Sequence, residues 1–463
     1  MFSESFVVSI PDTSLRSTGI SAIIGKLPVL HPNVRANNHN IFFKRCLLNN
    51  AKFTDFLKAM NNYDVIIIGG GAAGFFAAIN IAEFNSKLKI AILEKGKEVL
   101  TKVKVSGGGR CNVTHAEFIP HELIKNYPRG EKELLGPFHT FMTGDTIEWF
   151  EKRGVALKIE EDGRMFPHTN TSQTIIDCFK KEVKRLNVKV LKGQSVKNIE
   201  NDNNWKITTN KELFSASKLL VATGSNTKIW KQIELLGHTI VTPVPSLFTF
   251  NINDQRLQDI PGVVAKNATV CLIESNLEAS GPLLITHVGL SGPAILKLSA
   301  FGAIYLANKN YNFNVRINFI DYTFKDCLDI LKEIKHRQSK KLVVNSVQFD
   351  LPKRLWRKLV NVSNINNELR WADVNKVQLE MLAKQLTNAI FEVNGKSTFK
   401  EEFVTAGGVD LSEINFKTFE SKRFKNLYFA GEVLNVDAIT GGFNFQNAWT
   451  GAFIAAKAIS NEN

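Results

Sequence analysis

The sequence predicts an α/β protein: a Rossmann-like dinucleotide-binding domain, discontinuous along the chain, interrupted by a β-barrel and a small helical insert. Three observations predict it. "VIIIGGGAAGFFAAINIAE" (residues 65–83) reads as a strand, a glycine turn and a helix. Residues 62–247 alternate strand-like and helix-like runs, and that pattern returns after 393, in 393–463. Between them come short alternating runs at 248–320, such as "SLFTFNI" and "FNVRINFI", and then a helical period at 321–392.

The first strand is the β-branched run Val65–Ile68, too short for a helix. Gly69, Gly71 and Gly74 follow at G-x-G-x-x-G spacing, with Ala72 and Ala73 opening the helix. The first glycine allows a tight turn, the second lets backbone approach a pyrophosphate, and the third lets helix pack on strand. Phe75-Phe76 stand where a P-loop needs Lys-Ser/Thr, which argues against ATP. Glu94, followed by Lys95, ends the next apolar run 20 residues after Gly74, where a carboxylate meets an adenosine ribose. Thr223-Gly224 end a further strand in "SKLLVATGSNT".

The far end decides which dinucleotide is held. "FAGEVLNVDAITGG" places Gly431 and Glu432 at a strand end, where two-part flavin sites bind ribityl hydroxyls. Thr440, Gly441 and Gly442 then lead into a helix beginning at Phe443 and Asn444, whose positive end would face the flavin pyrimidine. No second fingerprint occurs between 225 and 400. We therefore expect one resident FAD in a glutathione-reductase-like domain, with NAD(P)H as a transient reductant.

A second glycine loop, "KVSGGGRCNVTH" (104–115), supplies Gly109, Arg110, Cys111 and Asn112 as candidate cofactor contacts, with Arg110 on pyrophosphate. Cys111 has no cysteine five residues on, so a redox disulfide is excluded there; it is a candidate proton donor or a packing residue. His287 in "LLITHVGLSGPAIL" is a second candidate acid or a substrate ligand, or else a structural histidine. "EEDGRMFP" (160–167) is expected to be a turn lining the site.

Composition sets outer bounds. The 463 residues are 44% hydrophobic and 22% charged, ordinary for a globular protein, and no apolar run approaches a membrane span. Five scattered cysteines argue against a disulfide framework, and the nine histidines show no metal-ligand spacing, so no metal is expected. Lys plus Arg number 58 against 44 acids, net +14, which suits an anionic partner. The N-terminal extension, 1–61, carries seven Lys/Arg and three acids. It reads as organelle targeting or as sequence upstream of the true start at Met60. We prefer the second, expect poor order, and expect a cytoplasmic protein.

"SGGGRCNVTH", "EDGRMFP", "THVGLSGPA", "VTAGGVDLSEI" and "LYFAGEVLNVDAITGGFNFQNAW" together resemble the BaiN/RdsA-type, YhiN-like NAD(P)/FAD-dependent oxidoreductases, from residue 62 to the C-terminus. Asn435 and Ala438 depart from that pattern, which has Asp and Gly. The resemblance implies an FAD domain interrupted by a barrel and a helical insert. It also implies one of three activities: reduction of a bile-acid enone, oxidation of small aminoketones, or reduction of uridine to dihydrouridine in large-subunit ribosomal RNA.

The insert favours the third. Residues 335–358 hold eight Lys/Arg and one acid, Asp350. On a helix starting near Pro352, Lys353, Arg354, Arg357 and Lys358 share one face, while Leu355, Trp356, Leu359 and Val360 share the other. Such a face suits RNA phosphates, though a solvated charge run has the same pattern. The expected reaction is NAD(P)H-driven reduction of a conjugated C=C in ribosomal RNA. Small-molecule reduction and a flavin-bearing ribosome-assembly factor stand as alternatives.

Overall fold

The computed structural model describes residues 60–397 and 404–461. The expectation for the N-terminal extension lies, for 1–59, outside the described residues. Strand Asn61–Ile68 sits centrally in a nine-stranded sheet, between Ile90–Glu94 and Leu213–Val221, parallel to both. Lys189–Lys192 pairs parallel beyond Ile90–Glu94, and Leu427–Phe429 pairs parallel with the C-terminal part of Leu213–Val221. The N-terminal part of that long strand instead carries the antiparallel strand Asn204–Thr209. Val65 to Ile68 are all buried, as a strand covered on both faces requires.

The two segments of this domain meet in their helices. Ala72–Phe84 packs against Phe443–Ser460, and Ala73, Ala77, Ala448 and Ala452 are all buried. Gly431 lies between them: a Cβ there would be 3.3 Å from that of Ala73 and 3.7 Å from that of Ala448. The Phe76 ring lies 5.1 Å from that of Trp449, tilted by 39°, in the same core. One domain is thus built from two segments far apart in the chain, as the returning pattern in the sequence implied.

The middle of the chain forms a seven-stranded antiparallel sheet ordered Ala389–Asn394, Asn312–Asn318, Val264–Leu272, Glu278–Thr286, Gly289–Ser291, Thr249–Asn251, Lys396–Ser397. The first and last of these strands are consecutive in the chain. Gly395, between them at φ +103, donates its N–H to Tyr311 O and accepts from Asn251 N, so the sheet closes on itself. Two features differ from the sequence reading. The β-type region 248–320 also holds helices Pro293–Phe301 and Ala303–Asn308, and a strand at 389–394 begins inside the stretch read as helical. Short apolar runs do not distinguish strand from helix, and Gly292-Pro293 supplies a helix start that outweighs them. Helices Phe324–Arg337, Lys353–Asn361 and Lys376–Thr387 share one continuous hydrophobic core with this barrel, separate from the core of the dinucleotide domain.

Candidate functional site

The parallel strands all end on one edge, and their carboxyl ends carry the motifs. Gly69 follows the first strand at φ +114, where a Cβ would lie 2.3 Å from Ala222 O of the neighbouring strand. A Cβ on Gly74 would lie 2.0 Å from Gly69 O, so helix and strand can close only on glycine. Gly71 differs: nothing stands within 4 Å of a Cβ placed there. That open space at a helix N-terminus is where a pyrophosphate is bound in such folds.

Glu94 is fixed by two backbone donors, Gly70 N at 2.9 Å and Gly96 N at 2.7 Å. Gly70 O accepts from Leu100 N, which carries the chain into helix Thr101–Gly109. From that helix Lys102 pairs with Glu432 at 2.6 Å, and Glu432 Oε2 lies 3.4 Å from where a Gly224 Cβ would be. Thr223 Oγ1 beside it is buried with no hydrogen-bond partner among the described residues. Buried hydroxyls are almost always satisfied, so an orphan on the crevice wall is the mark expected where a ligand completes the bonding. This orphan, the open space at Gly71 and the fixed Glu94 carboxylate fit a dinucleotide.

The second glycine loop closes the other side. Gly107, Gly108 and Gly109 all have positive φ, and nothing stands within 4 Å of a Cβ on Gly108 or Gly109. Asn112 and Thr114 press on Gly442, where a Cβ would meet Thr114 O at 2.5 Å. His115, passed over in the sequence reading, bonds Gly441 O through Nδ1 at 3.0 Å and stacks on Phe443. The loop is thereby pinned to the start of Phe443–Ser460, a helix whose N-terminus no side chain caps.

Several side chains sit differently from their sequence assignments. Arg110 pairs through one guanidinium nitrogen with Glu160 at 2.5 Å and lies over the Phe166 ring at 3.8 Å, so the "EEDGRMFP" hairpin holds it in place. Asn444 exchanges two hydrogen bonds with the backbone of Ala438, both 3.0 Å, and Phe443 turns its ring into the core. These two residues therefore offer a ligand their backbone, not their side chains. Lys95 and Thr440 are exposed. Cys111, at φ +62, is 0% exposed, and burial, opposed by a Ser106 hydrogen bond, pushes its thiol up to about 12. That is a packing environment. His287 is exposed at the tip of a barrel hairpin, where it lines a cleft of about 590 Å³ with Leu257, Gln258, Asp259 and Pro261.

On the helical insert, Lys353, Arg354 and Arg357 are exposed and Lys358 is half-buried, while Leu355, Trp356, Leu359 and Val360 are buried. Arg357 bonds Asn345 Oδ1 at 2.8 Å and Lys358 lies 3.8 Å from Asp259. Lys353 and Arg354 have no side-chain partner among the described residues.

Residues 63–458 match the profile of the HI0933-like protein Rossmann domain. The chain belongs to the HI0933-like family. It is a flavoprotein oxidoreductase with a Rossmann-type FAD-binding domain. A ribosomal RNA dihydrouridine synthase of Haemophilus influenzae is 29% identical over 412 residues, covering 86% of this chain and 98% of that one. A protein of the same name from Escherichia coli is 28% identical over 412 residues, with the same coverage. A 3-dehydro-bile acid delta(4,6)-reductase of Clostridium scindens is 25% identical over 408 residues, covering 85% of this chain and 98% of that one. Among the described residues of this HI0933-like protein, no helix is long and apolar enough to cross a membrane, and no cluster of His, Cys, Asp or Glu could hold a metal.

Proposed function

We propose that this protein reduces uridine to dihydrouridine in large-subunit ribosomal RNA, in the cytoplasm, at the expense of NAD(P)H. The observation that carries the reading is the exposed cationic face of Lys353–Asn361, with Lys353 and Arg354 unpaired among the described residues. A face of one sign binds phosphates and releases their counterions; a small neutral enone has no use for it. The names of two curated relatives support the same reading.

The reaction converts the C5=C6 bond of uracil to a single bond, with hydride added at C6 and a proton at C5. When bound, FAD supplies the hydride, after taking two electrons from NAD(P)H. The chain's residues do the rest. Gly71 and the first turn after it admit the pyrophosphate, Glu94 holds the adenosine end, and Thr223 and Glu432 supply polar groups to the ribityl side. The uncapped start of Phe443–Ser460 places positive potential where negative charge accumulates. We assign the proton donor to His287 in preference to Cys111, because the Cys111 thiol is wholly enclosed and reaches no substrate, whereas His287 is exposed at the tip of its hairpin.

Mass spectrometry of ribosomal RNA nucleosides from cells with and without the gene tests the substrate. Loss of one dihydrouridine on deletion is expected; an unchanged nucleoside profile would overturn the reading. His287→Ala should lower product formation ~10²-fold or more, the scale of general acid catalysis. Unaltered turnover would remove His287 from that role. The bile-acid reductase relative favours a second reading, a small conjugated enone, and NAD(P)H turnover with such an enone in the absence of RNA would support it.

A further inference from the structure

Immediately before the cationic helix the chain makes an unusual turn. Phe349 and Asp350 both adopt left-handed backbone, at φ +58 and +55, a conformation costly for a bulky side chain. The turn brings the Phe349 ring to 5.6 Å from that of Tyr322, tilted by 59°. Tyr322 is set from the barrel side, because Asn318 at the end of a barrel strand donates to Tyr322 O at 2.9 Å and accepts from Ile320 N and Asp321 N. The pairing leaves Tyr322 44% exposed. Phe349 itself packs against the barrel's core, and two rings tilted in this way do not cover each other's faces, so the Tyr322 ring stays open to water beside a strained turn.

Lys353 and Arg354 follow Phe349 within five residues and are exposed without a side-chain partner among the described residues. The local acid, Asp350, is neutralised by Lys266 at 3.0 Å. An open aromatic ring beside uncompensated cations supplies the two components of single-strand nucleic-acid binding, base stacking and backbone attraction. Cations alone would serve a duplex equally well; the exposed ring has a use only where bases are unstacked.

We propose that Tyr322, backed by Phe349, is a stacking platform for an unpaired base of the RNA, adjoining the phosphate contacts of Lys353 and Arg354. It rests on the RNA reading above and adds that the protein grips a single-stranded segment away from the flavin crevice. The preference also has a role in the reaction, since a base must leave its stack to be reduced, at a cost least where the strand is already unpaired.

The test measures binding of a short unpaired oligoadenylate, and of a duplex of equal length, to the full flavin-loaded chain across a salt series. The wild-type protein should favour the unpaired strand. Tyr322→Ala should bind it roughly five- to a hundredfold more weakly with an unchanged salt slope, because stacking is not a counterion effect. Tyr322→Phe, which keeps the ring, should bind as wild type. The Lys353→Glu, Arg354→Glu double variant should instead flatten the slope. Equal binding by Tyr322→Ala and wild type, with the slope still flattened in the double variant, would overturn the platform and leave the RNA reading standing. No binding of either probe by the wild-type protein would overturn both.

Discussion

Gly71 and Gly74 stand three positions apart under opposite constraints. Gly74 has no room, since its Cβ would collide with Gly69 O at 2.0 Å. Gly71 has room in the protein alone and lies at φ −96, which any residue adopts. Gly71→Val should therefore leave the thermal stability of the flavin-free chain near that of wild type while abolishing the yellow flavin absorbance. Gly74→Val should destabilise the fold itself, by ~1–3 kcal/mol or more, as forced overpacking does. A Gly71→Val protein that purifies with full flavin would remove the pyrophosphate from this turn. Cys111→Ser offers a second residue-scale check. With the thiol enclosed, the variant should keep its flavin and its turnover, and a fall in product formation of ~10²-fold would restore Cys111 as the acid.

At the scale of elements, two helices carry function through opposite means. Phe443–Ser460 acts through its backbone: its first-turn side chains are turned inward or bonded to Ala438, which leaves the N–H groups and the dipole. Lys353–Asn361 acts through its side chains, which split into a buried apolar face and an exposed cationic one. Reversing Lys353, Arg354, Arg357 and Lys358 to Glu should weaken RNA binding and make its salt dependence shallower. Each lost phosphate contact removes a slope of ~0.7–0.9 in log K against log salt. Flavin content should persist, because the helix belongs to the barrel's core rather than to that of the dinucleotide domain. Unchanged affinity and slope would make the face merely solvated.

At the scale of the molecule, the two cores are tied by a buried ion pair. Arg129 forks onto Asp437, which precedes the last helix, and bonds Ser246 Oγ at 3.0 Å and Ala300 O at 2.7 Å, both in the middle of the chain. Burial pushes the Asp437 carboxyl up, against the pull of Arg129 and Ser246. Removing one partner strands the other, so Arg129→Ala should cost ~3–5 kcal/mol in denaturant unfolding. A loss under 1 kcal/mol would show that the pair does not brace the two halves. Alkaline stability has its own source. Burial raises the Cys111 and Cys327 thiols to about 12 and that of Cys178 to about 11, each from 9.0. The unfolded chain loses these protons first, so their stabilising contribution is complete below pH about 9 and fades as pH rises towards the folded values. The denaturation midpoint should fall across that window, and less steeply in a triple Cys→Ala variant compared with its own midpoint at neutral pH.

The sequence by itself determined the dinucleotide domain and its ligand class. Gly69, Gly71, Gly74 and Glu94 are close in the chain, and each answers a local demand: a turn, an open approach, a close packing, a strand end. The alternation of apolar runs likewise gave the parallel sheet, and helical spacing gave the two faces of Lys353–Asn361. What only the tertiary structure decided involves partners far apart in sequence. Arg110 pairs with Glu160, Glu432 takes Lys102 from 330 residues away, and Arg129 finds Asp437 across 308. Closure of the barrel needed Gly395 to bond two strands drawn from distant segments, and Tyr322 meets Phe349 only because a strained turn bends the chain back. Local pattern specifies which groups a segment offers; packing decides which of them another segment has already taken.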